Sequence, residues 1–317
     1  MIIFSLMYGQ EGDLKTGMIG AKFMAVPVGA RASAMGEAFA GVANDASAVF
    51  WNVGGISRIQ NRVDLFVSHT QWPAGIQFES FSLVADMRNL GKVAFSGTAM
   101  HMGEMRVRTA YSPEGTGETF TVQCYTGGIS WGRNLTDKFS LGLTLKGVQE
   151  NYYTKTSNGF SLDVGSLYDT QWKGLKIGMA MTNFGGDMAF DGTFNKWYDI
   201  DEPGKVTEFE AYPMPLTFRF GLTMDVMKLP ALSNDPLLLA VDMIHHPDNI
   251  QQVNFGLEYN LFNLLALRSG YKYGVDEGGL TFGVGLKQSK FIPAIDYSYG
   301  DFGRLGNVSR FSIILSF

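Results

Sequence analysis

FSLGLTLK, residues 139–146, decides the fold. Phe139, Leu141, Leu143 and Leu145 alternate there with Ser140, Gly142, Thr144 and Lys146. Successive strand side chains point to opposite faces, so the stretch has one apolar face and one small, polar face. The same period recurs in both directions. Upstream, Val63, Leu65 and Val67 alternate with Asp64, Phe66 and Ser68, and Val93, Phe95 and Gly97 with Lys92, Ala94 and Ser96. Downstream, Leu175 to Thr182, Leu216 to Thr223, Val253 to Tyr259 and Leu280 to Lys287 repeat it.

Counting such segments gives about fourteen strands. They are placed near 62–70, 76–86, 92–103, 119–132, 138–151, 159–170, 174–184, 214–226, 236–246, 251–260, 264–274, 279–287, 291–300 and 307–317. Many are about ten residues long, enough to cross a bilayer at a tilt. The connections sort by length. One end receives short turns near 87–90, 134–137, 171–173 and 288–290, with a moderate link at 227–235; the other receives the longest loops, near 103–118 and 185–212. Short turns at one end and long loops at the other are the habit of outer-membrane barrels. The chain closes on Phe311, Ile313, Leu315 and Phe317, an alternating row resembling the insertion signal of such barrels.

Composition agrees. Among 317 residues there are 39 glycines, 13% aromatic and only 17% charged residues. Net charge is −5 with no basic run, which argues against nucleic acid as a partner. The single Cys124 excludes an intrachain disulfide and a multi-Cys metal site. Mean hydropathy is near zero, and no apolar run reaches the roughly 18 residues a membrane helix needs. The first nine residues, MIIFSLMYG, read as the tail of a secretory signal.

The expected architecture is an all-β, fourteen-stranded antiparallel transmembrane barrel in a bacterial outer membrane, with lipid against its apolar face. Residues 1–19 form a residual signal or extension, 20–60 an N-terminal plug with short helices, and 61–317 the barrel. The polar face puts Asp64, Glu79, Lys146, Asp163, Lys176, Arg219, Asp242, Glu258, Arg268, Lys272, Lys287 and Asp296 in the lumen. Trp72, Trp172, Tyr271, Tyr273, Tyr297 and Tyr299 lie near strand ends, where aromatic girdles sit.

Residues 29–57, GARASAMGEAFAGVANDASAVFWNVGGIS, are unlike the rest. Small residues surround sparse larger ones. Ser33 is read as the N-cap of a helix through Ala43, Asn44-Asp45 as the cap of another through Phe50, and Gly54-Gly55 as a break. Such small-faced helices need an enclosing wall. The plug residues singled out are Arg31, Gly36, Gly41, Asn44, Asp45, Trp51 and Asn52. Arg31 is the stretch's only cation and calls for an acidic partner such as Asp64, Glu79 or Asp242, while Asn44, Asp45 and Asn52 are read as meeting charged strand residues.

GARASAMGEAFAGVANDASAVFWN resembles the N-terminal region of the PorV/PorQ family of bacterial outer-membrane proteins, relatives of the FadL-type transporters. Where that family reads Asn-Pro-Ala-Gly, this chain has Asn52-Val53-Gly54-Gly55. The resemblance implies a lumenal plug and an accessory or shuttle role in type IX protein secretion, with a translocon subunit or secreted cargo protein as partner. FadL-type kinship implies instead passive transport of a hydrophobic small molecule. A third reading is a structural or adhesive surface protein using Phe190, Phe194, Trp197 and Tyr198 of the longest loop for partner contact.

Enzyme chemistry is not indicated, and no cofactor or metal is expected. Gly128-Ile129-Ser130-Trp131-Gly132 matches G-x-S-x-G, but that motif needs a strand, a tight turn and a helix. His245 and His246 would point to opposite faces of a strand, and Asp199, Asp201 and Glu202 fit no complete calcium loop.

Overall fold

The computed structural model describes residues 17–196, 204–226, 237–262, 264–288 and 292–317. Fourteen strands among them close into one antiparallel barrel. In chain order they are β1 (Val63–Gln71), β2 (Gln77–Asp86), β3 (Lys92–His101), β4 (Val122–Asn134), β5 (Phe139–Tyr152), β6 (Lys155–Asp169) and β7 (Lys176–Gly185). The second half comprises β8 (Thr217–Asp225), β9 (Leu237–His245), β10 (Gln252–Leu261), β11 (Leu265–Tyr273), β12 (Leu280–Leu286), β13 (Ala294–Asp301) and β14 (Asn307–Ser316). Each pairs with its neighbours in sequence, and β14 closes on β1 with Leu315 opposite Leu65 and Ile313 opposite Val67. Closure removes the unpaired strand edges that hydrocarbon penalises.

The faces are inverted relative to a water-soluble sheet. Leu145, Phe95, Met179 and Phe282 stand exposed on the outside, while Thr144, Asp163, Asp242 and Asn254 are buried inside. None of the described helices is long and apolar enough to cross a membrane.

Strand starts differ from the sequence expectation for local reasons. Residues 119–120 belong to a short loop ribbon with 105–106, so β4 begins at Val122. Tyr153, at φ 57°, helps turn β5 directly into β6, which starts four residues early. Pro213 and Pro215 have no N–H to give a ladder, so β8 starts at Thr217. On β7, Thr182 and Asn183 together oppose Asp163 in a bulge, and both are buried.

Residues 20–58 fill the barrel. The helix expected from Ser33 to Ala43 is instead a single turn, Ala30–Ala34, with Gly29 as N-cap and Ser33 inside it. It ends because Gly36 and Glu37 both take positive φ. Asp45 does cap a 3-10 turn, Ala46–Phe50, accepting from the Ser47 N–H. Gly54-Gly55 does not break the chain: both lie within a further 3-10 turn, Val53–Arg58, capped by Asn52. Their missing Cβ atoms serve close approach, since a Cβ at Gly54 would lie 2.8 Å from the Gly165 carbonyl oxygen.

Candidate functional site

The candidate site is the lumen, divided by the plug into two chambers. The plug body, residues 29–58, rests on the inner wall backbone to backbone. Gly142, Gly165, Gly178, Gly256 and Gly270, on five strands, present bare backbone at the contact. A Cβ at Gly256 would lie 2.7 Å from the Met35 carbonyl oxygen, and one at Gly142 2.5 Å from that of Val53. Several of these glycines are paired across the wall: Gly142 with Gly165, Gly178 with Gly221, Gly256 with Gly270. Together they form a belt into which the plug backbone fits.

Polar contacts fix the body within that belt. The Phe39 and Ala40 N–H groups donate to Asp242 Oδ2 at 2.9 and 2.8 Å. Asn52 Nδ2 donates to the Ala40 and Ser166 carbonyls, tying plug to wall. Arg31 grips Glu258 through both Nε and Nη2, at 2.9 and 3.0 Å, and reaches Asp45 at 2.7 Å. Glu258 also accepts from Arg268 at 2.7 Å, and Arg268 bonds Asp296 at 2.5 Å. Lys272 pairs with Glu37 at 3.0 Å. In the network of Arg31, Asp45, Glu258, Arg268 and Asp296, and in the Lys272–Glu37 pair, buried charge thus meets counter-charge, the condition under which such groups are tolerated away from water.

These contacts correct the sequence pairing. The partner of Arg31 is Glu258, with Asp45 and Asn44 of the plug itself, rather than Asp64, Glu79 or Asp242. Asp242 instead caps two plug amides, and Asp64 accepts from Asn61. Asn44 and Asp45 meet Arg31 rather than strand charges, and Asn52 meets carbonyls. Glu79 is not lumenal: it points outward with Phe81 and Leu83 and bonds His69 at 2.7 Å. Trp72 turns toward the interior, packing on Phe78 and Phe302, rather than joining an outer girdle. Gly36 lies against the backbone of β10 and β11, and Gly41 against Thr223. Trp51 is buried edge-on to Phe39, donates to the Val28 carbonyl, and carries the Arg219 guanidinium 4.8 Å above its ring.

Above the body, toward the long loops, residues 20–28 run through the lumen as a strap. Its side chains join an apolar layer of Phe23, Phe78, Met100, Cys124, Val148, Met188 and Met214. Gly20 donates to the Pro213 carbonyl at 3.0 Å, and Lys22 pairs with Asp248. Between strap and wall lies a cavity of about 60 Å³, with Met24, Val26, Phe50 and Trp51 on one side and Thr98, Thr126, Thr182 and Arg219 on the other. Below the body, at the turn end, a chamber of about 460 Å³ is lined by Arg31, Asp45, Asp64, Glu258, Arg268 and Asp296 among others.

Sequence reasoning missed the strap's packing, Glu37, Glu150 and Arg310. Glu150 is buried and accepts from Tyr152 and Tyr212 at 2.9 and 2.7 Å; its inward parity on β5 was a readable signal. Arg310 is buried on β14 and donates to the Pro27 carbonyl. Phe190 and Phe194 join a loop-end cluster with Phe209, Tyr152 and Tyr212, whereas Trp197 and Tyr198 lie outside the described residues. Phe311, Ile313 and Leu315 face outward on β14, and the Phe317 carbonyl accepts from the Arg62 and Val63 N–H groups. Ser130 of the G-x-S-x-G stretch sits within β4, bonded to Thr144, with no elbow. His245 stacks on Phe218 while His246 bonds Thr217, and among the described residues no cluster suits a metal ion.

No family model matches the chain, and no curated protein does. Solved structures do. The CymD monoaromatic hydrocarbon channel is 14% identical with a TM-score of 0.63, over 95% of this chain and 99% of that one. The Pseudomonas putida toluene transporter TodX is 13% identical with a TM-score of 0.61, over 92% and 98%. A Pseudomonas aeruginosa FadL homologue is 13% identical with a TM-score of 0.57, over 91% and 98%. The chain therefore has the fold of the FadL-type channels. Each of these neighbours is named as a channel, a transporter or a FadL homologue, and none as an enzyme.

Proposed function

We propose that this chain is an outer-membrane barrel of FadL type that admits small hydrophobic molecules from its loop end. The observation that supports this most is the apolar layer of Phe23, Met100, Met188 and Met214 standing over a floor sealed by the plug body. Methionines adapt to irregular guests, and a sealed floor keeps ions from following. The cavity of about 60 Å³ is that of a closed state. A void of about 150 Å³ holds benzene, so the strap has to yield before a ring enters. Expression in a Gram-negative host lacking its own hydrophobic channel tests the reading: toluene or a long-chain fatty acid should enter several-fold faster than with empty vector. Uptake of both probes no faster than with empty vector overturns it.

The second reading, a partner of type IX secretion, is favoured by the PorV/PorQ likeness of residues 29–52 and by the aromatic cluster around Phe190. Purification from native membranes separates the two. A co-purifying translocon subunit or secreted cargo protein favours secretion; an isolated barrel carrying an apolar molecule favours uptake.

A further inference from the structure

Charge is sorted between the two ends of the barrel, and the sorting points to a lipid. At the turn end, three consecutive turns each set exposed cations beside exposed apolar side chains. The β2–β3 turn carries Arg88 with Met87 and Leu90, the β4–β5 turn Arg133 and Lys138 with Leu135, and the β6–β7 turn Lys173 with Trp172. The Lys173 ammonium sits 5.1 Å over the Trp172 ring. Among the described residues no carboxylate pairs with any of these four cations. The acids of the same turns are engaged elsewhere: Asp86 accepts from the Arg88 N–H at 2.7 Å and Asp169 from the Gln171 N–H at 2.9 Å, leaving Asp137 exposed. At the loop end the balance reverses. Arg304 is matched by Glu277, Lys22 by Asp248 and His69 by Glu79, and Glu104, Glu114 and Glu118 surround Arg106 and Arg108 in sequence.

We propose that the turn-end rim from β2 to β7 is a docking surface for anionic phospholipid headgroups. Arg133 is the most telling member. It lies on the outward face of β4, two residues beyond Trp131, where the apolar band meets the headgroup layer. Long basic side chains there lay their stems on apolar surface and hold their charge at phosphate level. The flanking Leu90, Leu135 and Trp172 anchor the turns in the interface. Free phosphate in solution would gain nothing from those apolar neighbours; a phospholipid uses both. The proposal requires only that the barrel spans a bilayer and is independent of what passes through the lumen.

The test is lipid retention. The full chain is placed in nanodiscs of equal phosphatidylglycerol and phosphatidylcholine, and co-purified lipid is measured by native mass spectrometry. Phosphatidylglycerol should be kept in preference by on the order of tenfold at low salt, with each cation near the surface contributing up to about fivefold. The variant R88Q/R133Q/K138Q/K173Q should lose that preference, and R106Q/R108Q/R304Q at the loop end should keep it. Equal retention of both lipids by the unaltered protein, or an unchanged preference in the quadruple variant, overturns the proposal. Should the quadruple variant fail to insert, a salt series on the unaltered protein decides. The preference must fall steeply as sodium chloride rises, and a salt-independent preference overturns the proposal equally.

Discussion

The plug body and the strap lie in the same lumen and are held in opposite ways. The body, residues 29–58, is seated through its backbone. Glycines of the wall let main chain meet main chain, and Asp242, Asn52, Thr281 and Ser312 bond its amides or carbonyls. The strap, residues 20–28, is seated mainly through side chains: Phe23 and Met24 pack on methionines, and a partly exposed Lys22 meets Asp248. Main chain in a fitted belt moves only by losing several hydrogen bonds together. An apolar side chain in a methionine layer can be exchanged for any apolar guest. Under the proposed uptake function the body would serve as a floor and the strap as a stopper.

The largest expected effect lies in the body. Replacing Glu258 by Ala leaves Arg31 and Arg268 facing each other across the vacated site, and removing one partner of such a buried pair costs about 3–5 kcal/mol. Heat-modifiability on gels, which reads the unfolding of the barrel, should show a clearly lowered transition. An unshifted transition would mean that the ionic network does not hold the floor.

Gly41→Trp should act next. Its side chain would strike Thr223 on β8, and overpacking of this kind costs about 1–3 kcal/mol. The barrel should still insert, and planar-bilayer conductance should rise above a nearly closed wild type. A wild type that already conducts like an open porin would refute the sealed floor, and a Trp variant that conducts no more than wild type would show that the floor does not depend on the belt.

The strap should respond weakly in stability and strongly in ligand response. Lys22→Ala removes an ion pair whose lysine is half exposed, worth below about 1 kcal/mol. The unfolding transition should hardly move, whereas uptake of the hydrophobic probe should change. A change in stability as large as that of Glu258→Ala would erase the distinction between floor and stopper.

The smallest effect is with pH. His246, in the loop after β9, is pushed down to about 4 by burial, with Arg219 adding to the shift. Its folded pKa lies below the ordinary value of about 6.5, so the neutral form is favoured in the fold. Its contribution is fully present above pH about 6.5 and fades as pH falls toward 4. Protease access to the strap should rise slightly over that window and lose this component in His246→Asn. An identical profile in the variant would show that His246 does not help to hold the strap.

Much of the wall was legible because its determinants are local. Alternation fixes which face a residue takes, and turn residues fix where a strand ends, so the strand pattern could be read segment by segment. Glu79 was misread although parity was sufficient: it alternates in step with Phe81 and Leu83, and its charge was given more weight than its position. The inward glycines were legible as small but not in their task. By alternation Gly178 falls on the polar face with Lys176 and Thr182, yet any side chain there would overlap the plug.

By itself the sequence determined the barrel: strand number, the two-residue alternation that sets the inner and outer faces, the sorting of turns and loops, and a small-residue segment needing enclosure. Each follows from a two-residue period or from neighbours a few positions apart. Only the tertiary structure decided how that segment is held and where it ends. Arg31 finds Glu258 from 227 positions away, and Gly36 meets Thr281 from 245. Such pairings depend on which strand closure brings opposite which plug turn, and no local pattern encodes that choice. Helix length was likewise settled from outside: the turn at Ala30–Ala34 stops where the belt accepts bare backbone, because contact with the wall outweighs the weak helical preference of so short a segment.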